Sequence, residues 1–320
     1  MCHNLPKNFD YGAAIFAIEN GGLVGLSGGR DSVALLLMLK QVLIYPNLAA
    51  CHVNHCIRGE ESDADEQFCA DLCKRLDIPF FCKRVDVPAL AKRTGMSLEA
   101  AARAARYQAF AEHQAGGFIV LAHHADDQAE TVLFNMARGA AGPRGMRSID
   151  TTGRGILRPL LNVTRQEITD WLVARGETWR DDSTNAIADV TRNRLRHEVL
   201  PLLNDTLGRD VTPILCRGAK LFQETHEALS SAINELPICD PQGRLFLPYV
   251  LEKRDALRKA IIHHYLSERG VPNISEATVL AVDEILPAYA KHSRVCLPGG
   301  IMAIRRNKRL ELKWPNEEVR

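Results

Sequence analysis

Residues 23–32 read Leu-Val-Gly-Leu-Ser-Gly-Gly-Arg-Asp-Ser, so a short apolar run leads directly into a glycine-rich turn. The apolar residues that follow predict a buried helix at 32–42, and a second apolar run occupies residues 48–53. A strand, a turn, a helix and another strand in this order form a βαβ unit, which favours a parallel sheet. This stretch therefore decides the fold class.

The same alternation continues along the chain. It predicts helices at 61–76, 98–113 and 127–137, strands at 80–87 and 118–122, and a capping box at 164–167 that opens another helix. We therefore expect an α/β fold with a doubly wound, mostly parallel sheet.

A length of 320 residues exceeds that of an ordinary single core and predicts two domains. After residue 203 the periodicity becomes helical, and the tail predicts helices at 256–268 and 275–285 with short strands near Val295 and Leu310. We place the boundary near residue 212. This gives a larger domain at 1–212 and a smaller, mainly helical accessory domain at 213–320.

Composition narrows the functional classes. The formal charge of +1 neither requires nor excludes a polyanionic partner. Nine cysteines contain no Cys-x-x-Cys pair, which argues against a zinc knuckle or an iron–sulfur site and favours reduced thiols in a cytoplasm. The N-terminus lacks a basic segment followed by an apolar core, and the apolar run at 33–39 stops at Lys40, so we expect no export or membrane segment.

The turn at 27–32 is a candidate phosphate cradle, because glycines let the backbone approach an anion while helix amides point at it. It lacks the Gly-Lys-Ser/Thr ending of kinase-type loops and the Gly-x-Gly-x-x-Gly of dinucleotide binders. A plain strand-to-helix turn is the alternative, since glycine and serine are common there for conformational reasons. The Ser-Gly-Gly-x-Asp-Ser pattern resembles the loop of the ATP-pyrophosphatase (PP-loop) superfamily.

Further motifs extend this resemblance. They include His-Val-Asn-His at 52–55, His-His-Ala-Asp-Asp-Gln-Ala-Glu at 123–130 and Arg-Pro-Leu at 158–160, with other stretches at 97–107, 181–185 and 191–197. Together with the turn, they look like the motifs of the tRNA(Ile)-lysidine synthase family over roughly residues 20–205.

The resemblance implies a ligase that joins free L-lysine to C2 of the wobble cytidine in the CAU anticodon of tRNA(Ile). ATP would adenylate the C2 oxygen with release of pyrophosphate, and the lysine amine would then displace AMP. The implied cofactors are ATP and Mg²⁺, with Asp31 helping to place the metal. The residues expected to hold ATP are Ser27, Gly28, Gly29, Arg30, Asp31, Ser32, His52 and His55.

The catalytic candidates are Asp31, Arg106, Asp127 and Glu130. Asp127 and Glu130 lie three residues apart at the start of a predicted helix, so both carboxylates share one face and predict the lysine site. Acidic residues also favour a helix N-terminus through its dipole, which is one alternative. A hydrolase metal cluster around His123 and His124 is another, although adjacent histidines at a strand end point to opposite faces.

Basic residues cluster in three places and predict contacts to an RNA backbone. The clusters contain Arg138, Arg144 and Arg158, then Arg192, Arg194 and Arg196, and finally Arg305, Arg306, Lys308 and Arg309. A solvated face is the alternative for each cluster taken alone.

Two other functions stay open. One is a different substrate within the superfamily, such as tRNA thiolation or small-molecule amidation, and the lack of cysteine pairs counts against thiolation. The other is a non-catalytic RNA-binding protein that has kept a nucleotide fold. The chain could also act as a homodimer. Cys56 stands where many relatives have glycine, and it would be strained if the backbone there has a positive φ.

Overall fold

The computed structural model describes residues 4–42, 47–114, 117–139, 142–151, 153–180 and 190–315. The motif at 181–185 lies outside these ranges. Contacts between residues divide the chain into two compact units, Met1–Phe222 and Gln223–Arg320. The division falls inside the helix Thr212–Asn234, and the boundary near residue 212 stays a prediction.

The first unit is built on a six-stranded sheet. Its strands are β1 (Gly22–Gly25), β2 (Leu48–Asn54), β3 (Phe80–Arg84), β4 (Phe118–Val120), β5 (Ile149–Asp150) and β6 (Ile156–Leu157). They lie in the order β3-β2-β1-β4-β6-β5, and every neighbouring pair is parallel except β5 with β6. Strands are added first on one side of β1 and then on the other, which confirms the predicted doubly wound, mostly parallel sheet.

Helices alternate with these strands along the chain and then follow them, and the last continues into the second unit. They are α1 (Tyr11–Glu19), α2 (Arg30–Val42), α3 (Glu60–Leu76), α4 (Val87–Thr94), α5 (Leu98–His113), α6 (Ala125–Ala137), α7 (Arg165–Ala174), α8 (Val190–Arg194), α9 (Leu200–Leu207) and α10 (Thr212–Asn234), with a π-helical turn at Leu195–Val199 between α8 and α9. Every residue from 32 to 39 on α2 is buried, because a helix that is apolar on all sides is stable only inside a core. It packs against β1, α1 and α7.

Strand β3 ends earlier than the predicted range of 80–87. Asp86 caps α4 by accepting a hydrogen bond from Ala89 N at 2.9 Å, and Pro88 lies in the first turn of that helix. Both features favour a helix start at Val87. The sequence pattern does not predict α1, β5 or β6, since such short elements depend on tertiary packing.

The second unit contains β7 (Leu245–Phe246), α11 (Leu247–Leu251), α12 (Asp255–Glu268), α13 (Glu276–Ile285), β8 (Arg294–Cys296), a 3-10 turn at Pro298–Gly300, β9 (Met302–Arg306) and β10 (Arg309–Lys313). Its strands form an antiparallel sheet in the order β7-β10-β9-β8. The predicted helical domain with short strands is confirmed. Across the described ranges, no helix combines the length and apolarity needed to cross a bilayer.

Candidate active site

The loops that follow β1, β2 and β4 meet at the carboxyl edge of the sheet and enclose a cleft of about 610 Å³. Open α/β sheets bind ligands where the strand order reverses, which here is between β1 and β4. The predicted site residues that line this cleft are Ser27, Gly29, Arg30, Asp31, Ser32, His52, His55, Arg106, Asp127 and Arg196.

The turn from Ser27 to Ser32 is held by its own hydroxyl groups. Ser27 N donates to Ser32 Oγ at 3.1 Å, and Ser32 Oγ donates to Gly29 O at 3.0 Å. Gly28 has a φ of +86°, a conformation that favours glycine, and a side chain there would lie close to Cys69 Sγ, at 3.3 Å. The turn runs into the N-terminus of α2, where free amides favour an anion.

Asp31 places a carboxylate in the cleft from the first turn of α2. Burial raises its pKa, but contacts with His124 and Arg30 outweigh burial and hold the pKa well below the ordinary range. Arg30 Nε donates to Asp31 Oδ1 at 2.8 Å. An ionised carboxylate beside a phosphate turn fits Mg²⁺, which takes oxygen ligands from one or two carboxylates and from substrate phosphates.

His52 supports the turn from β2. Its Nδ1 lies 2.9 Å from Leu26 O, and since a carbonyl only accepts, Nδ1 is the donor. Burial lowers the pKa of His52, so the ring is neutral near pH 7. His55 follows one residue after the strand and also lines the cleft. His52 therefore holds the end of β1 in place and also lines the cleft.

His124 joins the phosphate turn to the start of α6. It is 1% exposed, and its Nε2 lies 3.5 Å from Asp31 Oδ2 and 3.6 Å from Asp127 Oδ2. Its Nδ1 lies 3.4 Å from Asp126 Oδ2. Burial lowers the pKa of His124, but the charge of Asp127 and the contacts with Asp126 and Asp31 raise it to about 9. The ring is an imidazolium at neutral pH.

Arg196, from the π-helical turn, bridges the two acidic residues of α6. Its Nε donates to Glu130 Oε1 at 2.6 Å, and its Nη2 donates to Asp127 Oδ1 at 3.0 Å. Glu130 is 3% exposed, and burial together with the charge of Asp127 raises its pKa, although Arg196 and His124 lower it. The predicted lysine-site residues thus lie together and already hold a guanidinium. Arg196, predicted as an RNA contact, is engaged here instead of standing free on the surface.

Tyr107 and Arg103 line the cleft beside Arg106 and were not predicted as site residues. The guanidinium carbons of Arg103 and Arg154 lie 5.0 and 4.4 Å from the centroid of the Tyr107 ring. Cation–π contacts of this kind orient both arginines. The spacing of Arg103 and Tyr107 on the predicted helix, four residues apart, was a readable signal for one shared face.

Arg158 is buried, with 8% exposure, and does not stand on the surface. Its Nε donates to His123 Nδ1 at 3.2 Å, and its Nη1 donates to Arg147 O at 2.7 Å. Both His123 and its neighbour His124 line the cleft, and His124 also faces aspartates. The two adjacent rings have different partners, Arg158 for His123 and aspartates for His124, while both border the same cleft.

The remaining basic candidates lie outside the cleft lining. Arg138, Arg144, Arg192 and Arg194 are exposed. Arg138 stacks on Phe134 and Arg144 on Phe222, while Arg194 Nε pairs with Glu198 Oε2 at 3.0 Å. In the second unit, Arg305 donates to the carbonyl of Pro287, and Arg309 Nε lies 3.1 Å from Asp240 Oδ2, so part of the third cluster serves internal contacts.

Comparison with known proteins agrees with this geometry. The PP-loop domain family matches residues 11–203. Over 266 residues the chain is 35% identical to the tRNA(Ile)-lysidine synthase of Chlorobaculum tepidum, an alignment that covers 79% of this chain and 80% of that protein. The chain belongs to the tRNA(Ile)-lysidine synthase family.

Other members of the tRNA(Ile)-lysidine synthase family are longer. The protein from Parabacteroides distasonis is 46% identical over 276 residues, which cover 84% of this chain and 60% of that one. The protein from Thermus thermophilus is 35% identical over 305 residues, which cover 93% and 57%. This member therefore spans about three fifths of the length of those two relatives.

A solved structure shares the fold of this lysidine synthase family member. It is the U34-tRNA thiolase NcsA from Methanococcus maripaludis, with a TM-score of 0.52 and 17% identity, and the match covers 66% of this chain and 77% of that one. At this identity the likeness concerns the fold alone.

Proposed function

We propose that this chain ligates free L-lysine to C2 of the wobble cytidine in a CAU-anticodon tRNA(Ile), at the expense of ATP, in the cytoplasm. One observation carries the proposal. His124 Nε2 lies 3.5 Å from Asp31 at the phosphate turn and 3.6 Å from Asp127 of the acidic pair. A phosphate-binding turn in the cleft, with an acidic pair beside it of which Asp127 lines the cleft, suits a reaction that uses both ATP and an ammonium substrate.

In the first step, the C2 oxygen of cytidine attacks the α-phosphorus of ATP, and the bond to the bridging α–β oxygen breaks. Amides of the Ser27–Ser32 turn and the α2 N-terminus stabilise the charge that develops on the departing pyrophosphate. Asp31 would hold Mg²⁺, which neutralises phosphate charge when bound. The products of this step are adenylated cytidine and pyrophosphate.

In the second step, the lysine ε-amine attacks C2 and the bond from C2 to the AMP oxygen breaks. The ammonium has an ordinary pKa of about 10.4, so it must lose a proton before attack. Glu130 suits this task because burial raises the pKa of its carboxyl, and Asp127 would place a second carboxylate beside the incoming ammonium. The lysine ammonium would take the place that Arg196 occupies.

The tRNA partner is supported by exposed basic residues outside the cleft, among them Arg138, Arg144, Arg192 and Arg194. Contacts to phosphates release counterions, so tRNA affinity should fall steeply as salt rises. The target base must leave its stack to reach the cleft, which an anticodon loop allows at low cost.

Mass spectrometry of a CAU-anticodon tRNA(Ile) transcript tests the proposal. After incubation with ATP and L-lysine, the wobble nucleotide should gain one lysyl residue, and pyrophosphate release should require the tRNA. A sulfur-sized gain would indicate thiolation instead. Binding of the tRNA without pyrophosphate release under any combination of substrates would indicate a non-catalytic RNA-binding protein.

A further inference from the structure

Two neighbouring histidines in the segment after β4 differ in charge. His124 lies among three carboxylates and carries a charge. His123 turns to Arg158, the first residue of the Arg-Pro-Leu motif, whose guanidinium is buried and anchored by Arg147 O. The proposed chemistry above assigns no role to either His123 or Arg158.

The contact between Arg158 and His123 determines where the ring proton sits. A guanidinium has only donors, so His123 Nδ1, 3.2 Å from Arg158 Nε, must be the acceptor. An imidazole that accepts at Nδ1 is neutral and carries its hydrogen on Nε2. Arg158 thereby selects one tautomer of a ring that borders the cleft.

The surroundings of His123 keep it neutral. Burial lowers its pKa to about 4, the charges of Arg158, Arg106 and His124 act in the same direction, and only Asp127 opposes them. Tyr107 and Phe110, which are 7% and 1% exposed, border the same cleft. His123 lines the cleft beside these nearly covered rings, so the edge of a base that enters the cleft can meet a fixed donor there.

We propose that Arg158 is a positioning residue that holds His123 as a neutral Nε2–H donor, and that this donor hydrogen-bonds N3 of the target cytosine. The inference rests on the proposed function. Cytosine N3 is an acceptor, whereas uracil presents N3–H, so a donor locked in this tautomer favours cytosine over uracil. A hydrogen bond to N3 also draws electron density from C2, which assists attack by the amine.

A double-mutant cycle between enzyme and substrate tests the contact with N3. The variant is His123→Phe, and the substrate carries 3-deazacytidine at the wobble position, where C–H replaces the N3 acceptor. Each change alone should lower kcat/KM about 10- to 100-fold, since one hydrogen bond to substrate is lost. Together they should cost little more than either alone. Multiplying losses would overturn the proposal, as would a His123→Phe variant with unchanged activity.

The role of Arg158 is tested by ¹⁵N NMR of the histidine rings and by the pH profile. In the wild type, His123 should show an unprotonated Nδ1 and a protonated Nε2 near pH 7. Arg158→Gln should mix the tautomers and move the acid limb of kcat/KM upward, toward the ordinary pKa of 6.5. A structural role alone would lower activity at every pH without moving that limb.

Arg175→Gln is the matched control, because Arg175 stacks on Trp171 of α7 and does not line the cleft. If Arg158→Gln fails to fold, the wild-type spectrum still decides, since a proton on Nδ1 of His123 contradicts the proposal outright. A wild type that forms no lysidine would instead remove the proposed function, while the tautomer measurement would stand by itself.

Discussion

The phosphate side and the acidic side of the cleft balance their charges in different ways. On the phosphate side, local hydroxyl contacts hold the turn from Ser27 to Ser32, and the N-terminus of α2 that follows offers amides to an anion. On the acidic side, Asp127 and Glu130 hold Arg196, which lies 66 residues from Glu130 along the chain. Exposed backbone amides can hydrogen-bond to water until a ligand arrives, whereas buried carboxylates need a cation. The phosphate side is therefore preformed, whereas the acidic side is already occupied by the guanidinium of Arg196.

Loss of Asp31 should have the largest effect, because it would remove the carboxylate that links the preformed side to the rest of the site. We expect Asp31→Ala to slow tRNA-dependent pyrophosphate release by on the order of 1,000-fold, the scale of losing a main electrostatic group. Asp71→Ala is the control, since Asp71 is exposed on α3 and only accepts from Gln67. Comparable rates for both variants would show that Asp31 has no part in the chemistry.

The link between the two sides should make stability depend on pH. His124 has a folded pKa near 9 against 6.5 for the free side chain, so its contribution is fully present below pH 6.5 and is lost as pH rises through 9. The loss should be on the order of 3 kcal/mol. Urea denaturation of the wild type at pH 6.5 and pH 9 measures it.

His124→Gln supplies the reference for that measurement, because it cannot become charged. The difference in unfolding free energy between wild type and variant should shrink from pH 6.5 to pH 9. A difference that stays constant would mean that the ring is neutral and that the two sides are not joined by an imidazolium.

Removal of the Arg196 guanidinium should free the carboxylates of Asp127 and Glu130 for a ligand. Without tRNA, Arg196→Gln should bind free lysine about 10-fold more tightly than the wild type, a change of about 1.4 kcal/mol, because no guanidinium competes for the carboxylates. Isothermal titration calorimetry checks this. Arg194→Gln is the neighbouring control, since Arg194 pairs with Glu198 and not with α6. Equal or weaker binding by Arg196→Gln would place the lysine site elsewhere.

The smallest effect concerns backbone strain on the β2 side of the cleft. Cys56 has a φ of +52°, which is the positive φ at which a residue other than glycine is strained. Cys56→Gly should stabilise the protein by about 0.5–1 kcal/mol, while Cys56→Ala should change little because it keeps the strained conformation. Thermal unfolding of the wild type and the two variants would show whether Cys56→Gly is the most stable of the three. A Cys56→Gly variant that is less stable than Cys56→Ala would contradict it.

Local patterns in the sequence were enough to predict the strand, turn and helix around residues 23–42 and the parallel sheet. They also predicted that Asp127 and Glu130 share one face of a helix. These depend on interactions between residues a few positions apart, and periodicity records such interactions directly. Only the tertiary structure decided that Arg196 fills the acidic pair, that Arg158 lies inside against His123, and that His124 is charged. Each depends on burial and on partners tens of residues away, and a string of residue types carries neither the distance nor the dielectric that sets a pKa.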